Sequence, residues 1–347
     1  MVIGYWLSVI GYRLLVIGYW LSVIGNREII MSKSSDIFDL YRDTLVLSEE
    51  DAADFLVYVQ DSASPVDGAM AVSGLTLSLL EGQWSAERML LLMKAYATAC
   101  CDMIRERVVV GLLMSMMKYS AVLREQYDLL DKAQEILTDD PELCFTALSN
   151  IARTTQIKNL ERFNQELTKE IMPLMNQVGS DEFYDVIRKH QGDMERIARM
   201  HLDQNFLIFK TGYQTPFFRE RAAHWLLPWD DDQLQNVPEE EREQLQGLLD
   251  LWPMCDSDKY ALLGMSSMIR DTLKGQLQGD LMAQMDALGH TEIVTNGYIQ
   301  QLYRYFRLSA FTQSTPFDLV GYLRDTIVYR LVVVGERAKQ VINELLN

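Results

Sequence analysis

Histidines, cysteines and clustered carboxylates are the residues of this chain that carry chemistry, and their spacing decides what kind. A carboxylate-bridged di-metal centre in a helical bundle draws Glu-x-x-His from its helices. Three residues before His190, His201, His224 and His290 stand Ile187, Ala198, Arg221 and Ala287, none of which is a metal ligand. His190 and His201 share a face only if one helix is unbroken between them, and about 16 Å of helix axis then keeps them from one ion. The run Asp230-Asp231-Asp232 lacks the alternation, the central Gly and the twelfth-position Glu of a calcium loop, so it reads as a solvated acidic turn. Phosphate-cradling GxxxxGK[ST] and GxGxxG loops, the GxSxG elbow and HExxH do not occur. Cys100, Cys101, Cys144 and Cys255 form neither a CxxC pair nor a disulfide framework, which favours a reducing compartment, by default the cytoplasm. No catalytic residue, metal or cofactor is expected.

The first thirty residues are of another kind. Residues 2–29 are four seven-residue units, VIGYWLS, VIGYRLL, VIGYWLS and VIGNREI. With one codon choice, the ideal unit VIGYWLL is a heptanucleotide, GTTATTG, read through its three frames. The economical expectation is a DNA tandem repeat read into an over-long gene model, with the chain proper starting at Met31, so residues 1–30 are set apart from fold reasoning. The competing reading is a membrane anchor over residues 2–25, long enough to cross roughly 30 Å of hydrocarbon. Arg13 near its centre opposes that by about 2.5–3.5 kcal/mol.

Acidic residues outnumber basic ones, 49 to 32, for a net charge of −17; Arg13, Arg27 and Glu28 give the leader +1, leaving −18 for residues 31–347. Such a surface repels phosphate backbones, so nucleic acid is not an expected partner. Those residues exceed one ordinary core, which points to two units or a quasi-linear array of helices. The expected division is an N-terminal helical domain over 31–210 and a C-terminal one over 211–347.

Helical patterns cover nearly everything: 36–47, 49–60, 68–80, 85–104, 106–118, 120–137, 141–153, 157–175, 181–209, 215–226, 238–251, 257–286, 292–308 and 317–346. Pro65, Pro141, Pro216, Pro238 and Pro316 sit at their edges. Ser48 followed by Glu49-Glu50-Asp51 is a start signal. Within 85–104, Met89, Leu92, Met93, Tyr96, Cys100 and Met103 mark a core face, with Glu87, Arg88, Lys94 and Asp102 on its flanks. The β-branched runs Val108–Val110 and Val332–Val334 read as tight packing between helices. Ile327, Leu331, Val334, Ala338, Val341 and Leu345 form an a/d seam that is covered by the preceding helix or by a second copy of the chain.

Between Phe206 and Pro238 the chain turns aromatic and then acidic. Phe217, Phe218, Trp225 and Trp229 either plug the joint between two helical layers or line a peptide pocket. Met89, Met93, Met103, Met114, Met116 and Met117 are core or, alternatively, an adaptable groove. Cys100 and Cys101 are adjacent on a helix in this reading, with a structural role. Cys255-Asp256-Ser257-Asp258 reads as a helix start capped by Ser257 or Asp256.

Six segments carry a resemblance by their order: Arg107-Val-Val-Val-Gly-Leu-Leu, Thr138-Asp-Asp-Pro-Glu, Asn159–Met172 with Glu170-Ile-Met-Pro at its end, Phe217-Phe218 with His224-Trp225-Leu-Leu-Pro228-Trp229, Cys255-Asp-Ser-Asp-Lys-Tyr260, and Tyr298-Ile-Gln-Gln-Leu-Tyr-Arg-Tyr-Phe306. Together they resemble a bacterial protein family with tetratricopeptide-type helical repeats, in the region that precedes the recognisable repeats. The 34-residue pattern itself is not present in this chain. The resemblance implies an all-α, solenoid-like or multi-helical array of stacked antiparallel helix pairs, and assigns no catalytic residue. The expected function is a non-catalytic scaffold or protein-interaction module, with a homodimer through 327–345 as one option. The alternatives are a membrane-tethered adaptor, if residues 2–25 are translated, and an enzyme with a site between helices that no motif reveals.

Overall fold

The computed structural model describes residues 33–154, 181–199, 213–237, 254–264 and 297–312, with isolated positions between 161 and 249. The described residues are all-α and contain no strand. In chain order the helices are α1 Lys33–Asp43, α2 Glu49–Gln60, α3 Pro65–Leu80, α4 Ala86–Thr98, α5 Asp102–Lys118, α6 Ser120–Leu123, α7 Tyr127–Asp139, α8 Pro141–Thr154, α9 Asp181–Arg199, α10 Pro216–Glu220, α11 Asp256–Gly264 and α12 Gly297–Leu308, with 3-10 turns at Ala222–Trp225 and Asp231–Asn236.

The architecture is organised around α3. Its sequence, PVDGAMAVSGLTLSLL, has no charged residue after Asp67, and every residue from Gly68 to Leu80 is buried. A helix apolar all round needs neighbours on all sides, and α1, α2, α4 and α5 supply them. Small residues let those neighbours come close. A Cβ on Gly74 would run into the Phe38 carbonyl of α1, and one on Gly111 of α5 would stand 2.5 Å from Thr76 Oγ1 of α3. The hydroxyls of Ser73 and Ser78 bond back to Ala69 O and Leu75 O, each at 2.7 Å, so they do not stand unpaired in the core. Helix α5 is enclosed from Arg107 to Met117, with Val108, Val109 and Val110 at most 1 % exposed. Next come α7 and α8, α7 against α4 and α8 against α5, and α12 lies on α8.

The helix starts are chemically specified. Ser48 caps α2 through Asp51 N–H at 3.0 Å, and Asp51 Oδ2 accepts the Ser48 N–H at 2.8 Å, a reciprocal capping box. Pro65, Pro141 and Pro216 open α3, α8 and α10.

Several boundaries differ from the sequence expectation. The continuous helix over 85–104 is two helices, because the Cys100 N–H bonds Val59 O at 3.1 Å in place of a carbonyl of its own turn. Cys100 and Cys101 therefore lie in the connection between α4 and α5, and Cys101 stands at the N-cap of α5. Arg88 is no flank residue: at 2 % exposure it crosses to the end of α1 and donates to Tyr41 O and Leu45 O at 3.2 Å, to Thr44 O, and to Ser78 Oγ at 2.5 Å. The pattern at 120–137 breaks at Arg124–Gln126, and that at 215–226 resolves into α10 and a 3-10 turn. The methionine-rich stretch is core, with Met89, Met93, Met114, Met116 and Met117 all buried.

Candidate functional site

The densest chemistry gathers where Asp203, Phe209 and residues 213–237, 254–264 and 297–312 meet α1, α3 and α5, and it begins with a short helix that its own downstream residues terminate. Pro216 opens α10, and the carbonyls of Phe217 and Phe218 at its end are taken seven residues later by His224 Nδ1 at 2.6 Å and Trp225 Nε1 at 2.9 Å. Phe217 and His224 stack with centroids 4.2 Å apart and planes 6° apart, and Tyr260 stacks on Phe217 at 4.8 Å. Burial lowers the His224 pKa, which keeps the ring neutral near neutrality; the carbonyl it faces places its proton on Nδ1. Trp225 is 2 % exposed and meets Phe209, Tyr213, Phe218 and Tyr305. The Tyr260 hydroxyl donates to Pro228 O at 2.9 Å.

Beside this aromatic knot lies a closed ionic cluster. Arg304 of α12 is fully buried. Its Nε and Nη2 clasp Asp203 at 2.8 and 2.6 Å, while Nη1 and Nη2 reach Asp258 at 2.8 and 3.2 Å. Nη1 also lies 2.9 Å from Cys255 Sγ and 2.9 Å from Ser257 Oγ, and the guanidinium sits 4.5 Å over the Phe209 ring. Burial opposes this charge, yet the carboxylates of Asp203 and Asp258 outweigh it and hold Arg304 well above its ordinary pKa. Planar fork geometry makes arginine the side chain for such a position. Asp258 also serves its own helix, because its Oδ2 accepts the Cys255 N–H at 3.2 Å and so caps α11. The cap residue is thus Cys255 rather than Ser257 or Asp256. Burial pushes the Cys255 thiol well up, against the pull of Arg304. A protonated, enclosed thiol is a poor nucleophile, so the cluster binds three distant segments together rather than activating sulfur.

Further arginines pin the same joint. Arg42 of α1 bonds Glu81 at 3.0 and 3.3 Å, Tyr305 OH at 3.1 Å and Phe311 O at 3.2 Å, while that hydroxyl donates to Glu81 at 2.9 Å. Arg221 pairs with Asp36 and Asp39 of α1. Arg107 of α5 lies 4.7 Å over the Tyr298 ring and 4.0 Å from Asp256. One continuous core consequently includes residues from both sides of the expected boundary at 210/211.

Of the residues singled out in the sequence, Phe217, Phe218 and Trp225 come together inside the knot at 6 %, 1 % and 2 % exposure. Trp229 is half-buried, edge-on to Tyr260, with Nε1 donating to Asp231 at 2.7 Å. Ile327, Leu331, Val334, Val341 and Leu345 lie outside the described residues, as do His201, His290 and residues 2–25. The acidic run forms a turn in which Asp230 Oδ1 accepts the Asp232 N–H at 3.0 Å. Sequence reasoning misses Arg304, Asp203 and Arg88. Their only signal is a charged residue inside an apolar period: Arg304 follows Tyr298, Ile299 and Leu302 and precedes Tyr305 and Phe306, all buried.

Among the described residues no group of three or more His, Cys, Asp or Glu is placed to hold a metal ion. Nor, among them, is any helix long and apolar enough to cross a membrane. No protein-family model matches the chain, and neither a curated protein nor a solved structure does.

Proposed function

We propose that the chain is a non-catalytic helical scaffold, a protein-interaction module working in the cytoplasm. The observation that carries this reading is the closure of the Arg304 cluster. Cys255, Asp203, Asp258 and Arg304 are buried and engaged with one another, so their polar groups are spent on holding segments of the fold together. The resemblance to the tetratricopeptide-type family and the all-helical described residues support a scaffold role. Four free thiols agree with a reducing compartment. The connection between α1 and α2 offers a contact point: Leu45 and Val46 are 77 % and 84 % exposed, and Arg88 fixes the backbone that presents them.

A photo-crosslinking residue at Val46 of the full chain, expressed in the native host, tests the reading. A discrete crosslinked protein, absent when the probe stands at exposed Glu135, is the expected result. Identical patterns from both positions would count against an interaction surface there.

A further inference from the structure

Two of the cysteines are adjacent, half-exposed and off-helix, whereas Cys144 and Cys255 are buried. The turn that carries Cys100 and Cys101 is tied to α2 by the Cys100 N–H to Val59 O bond, and the Cys100 thiol donates weakly to Asp61 O at 3.5 Å. Cys101 is extended, with φ −154° and ψ 166°, at the N-cap of the 17-residue α5, and its side chain makes no cap hydrogen bond. Burial first, and then the neighbouring Cys101, push the Cys100 thiol upward.

Donor number and covalent geometry narrow what such a pair takes. A structural zinc asks for four ligands, and among the described residues no group of three or more His, Cys, Asp or Glu is placed to hold a metal ion. A disulfide between neighbours is strained, since consecutive Cα atoms stand about 3.8 Å apart and disulfides need roughly 4.4 Å or more. A bridging atom between the sulfurs relieves that constraint, because each sulfur then bonds the bridge and not its neighbour. Thiolates are soft ligands and select thiophilic centres. A trivalent arsenical with one organic substituent has two exchangeable positions, which equals the number of sulfurs present.

We propose that Cys100 and Cys101 form a vicinal dithiol site that chelates a monosubstituted trivalent arsenical through both sulfurs. With phenylarsine oxide the step is C6H5As=O plus two thiols giving C6H5As(S–)2 and water. Two As–S bonds form, the arsenic–oxygen bond is lost, both thiol protons leave with the oxygen, and arsenic stays trivalent. Because both sulfurs must lose their protons, capture accelerates with rising pH. It also removes the S–H that meets Asp61 O.

The test is native-state titration of the full chain with phenylarsine oxide, followed by intact mass and by counting reactive thiols. One equivalent should bind, with two thiols lost and adduct release by a dithiol but not by an equal concentration of a monothiol. Cys100→Ser and Cys101→Ser should each abolish this stable adduct, while Cys144→Ser keeps it. Absence of uptake by the native protein would overturn the proposal, and so would an adduct that survives either single substitution or dissolves in monothiol. Circular dichroism on each variant separates loss of the site from loss of the fold.

Discussion

The α3-centred layer and the joint around Arg304 are held together by opposite means. In the first, apolar helices approach because glycine and serine leave room, and the four helices packed around α3, namely α1, α2, α4 and α5, all come from residues 33–118. In the second, partners lie up to 269 residues apart, and arginines are taken from water into a clasp of carboxylates and carbonyls. An apolar layer tolerates modest changes of shape. A buried charge tolerates no loss of its partner. The chain therefore uses forgiving packing where contacts are local and unforgiving polar geometry where distant segments must find one register.

Removing the central charge should separate the two regimes most sharply. Arg304→Ala leaves Asp203 and Asp258 facing each other without a cation, and is expected to destabilise the fold by about 3–5 kcal/mol in urea unfolding. Arg304→Lys should recover only part of this, since an ammonium lacks the planar fork. Equal stability of Arg304→Ala and wild type would show that the joint is not held by its ions. Gly74→Ala comes next, at about 1–3 kcal/mol from overpacking, because the added methyl meets the Phe38 backbone. Gly111→Ala should cost less, since it meets only the Thr76 side chain, which can turn aside.

The same contrast explains what is legible in the sequence. Helices α2, α3 and α8 follow from caps, prolines and apolar periodicity, signals contained within each segment. The break at Ala99–Cys101 is not legible, because no glycine or proline marks it and its cause is a carbonyl on α2, Val59 O. Arg88 reads like a flank residue for a similar reason: its partners are the last carbonyls of α1, more than forty positions away. The aromatic knot is half visible. Phe217, Phe218 and Trp225 announce a packed joint by type, but the seven-residue reach from His224 and Trp225 back to α10 requires a chain reversal that no local pattern encodes. Asp203 and Arg304 stand 101 positions apart and carry no shared signal at all.

His224 offers a subtler probe of the joint. Its folded pKa lies below the ordinary 6.5, so the unfolded chain takes up a proton first as the solution is acidified. Stability from this group is complete above about pH 6.5 and is lost as pH falls from there toward the folded value, by at most about 1.4 kcal/mol per pH unit. Urea midpoints measured from pH 7.5 to 5.5 should fall less steeply for His224→Gln than for wild type. Parallel slopes would mean that the ring is not held neutral by its setting.

The smallest effect belongs to the local regime. Ser48 and Asp51 form an exposed reciprocal cap on α2, and the Ser48 hydroxyl and backbone N–H hold Asp51 below the usual carboxylate range. Ser48→Ala removes one partner of an orphan N–H that water can replace, which limits the loss to about 1 kcal/mol. Acidification should shrink that difference, because a protonated Asp51 no longer favours the cap. If Ser48→Ala instead approached the cost of Arg304→Ala, α2 would be coupled to the joint and not to α3 alone, and the division between local and long-range regimes would have to be redrawn through the α1–α2 connection that Arg88 braces.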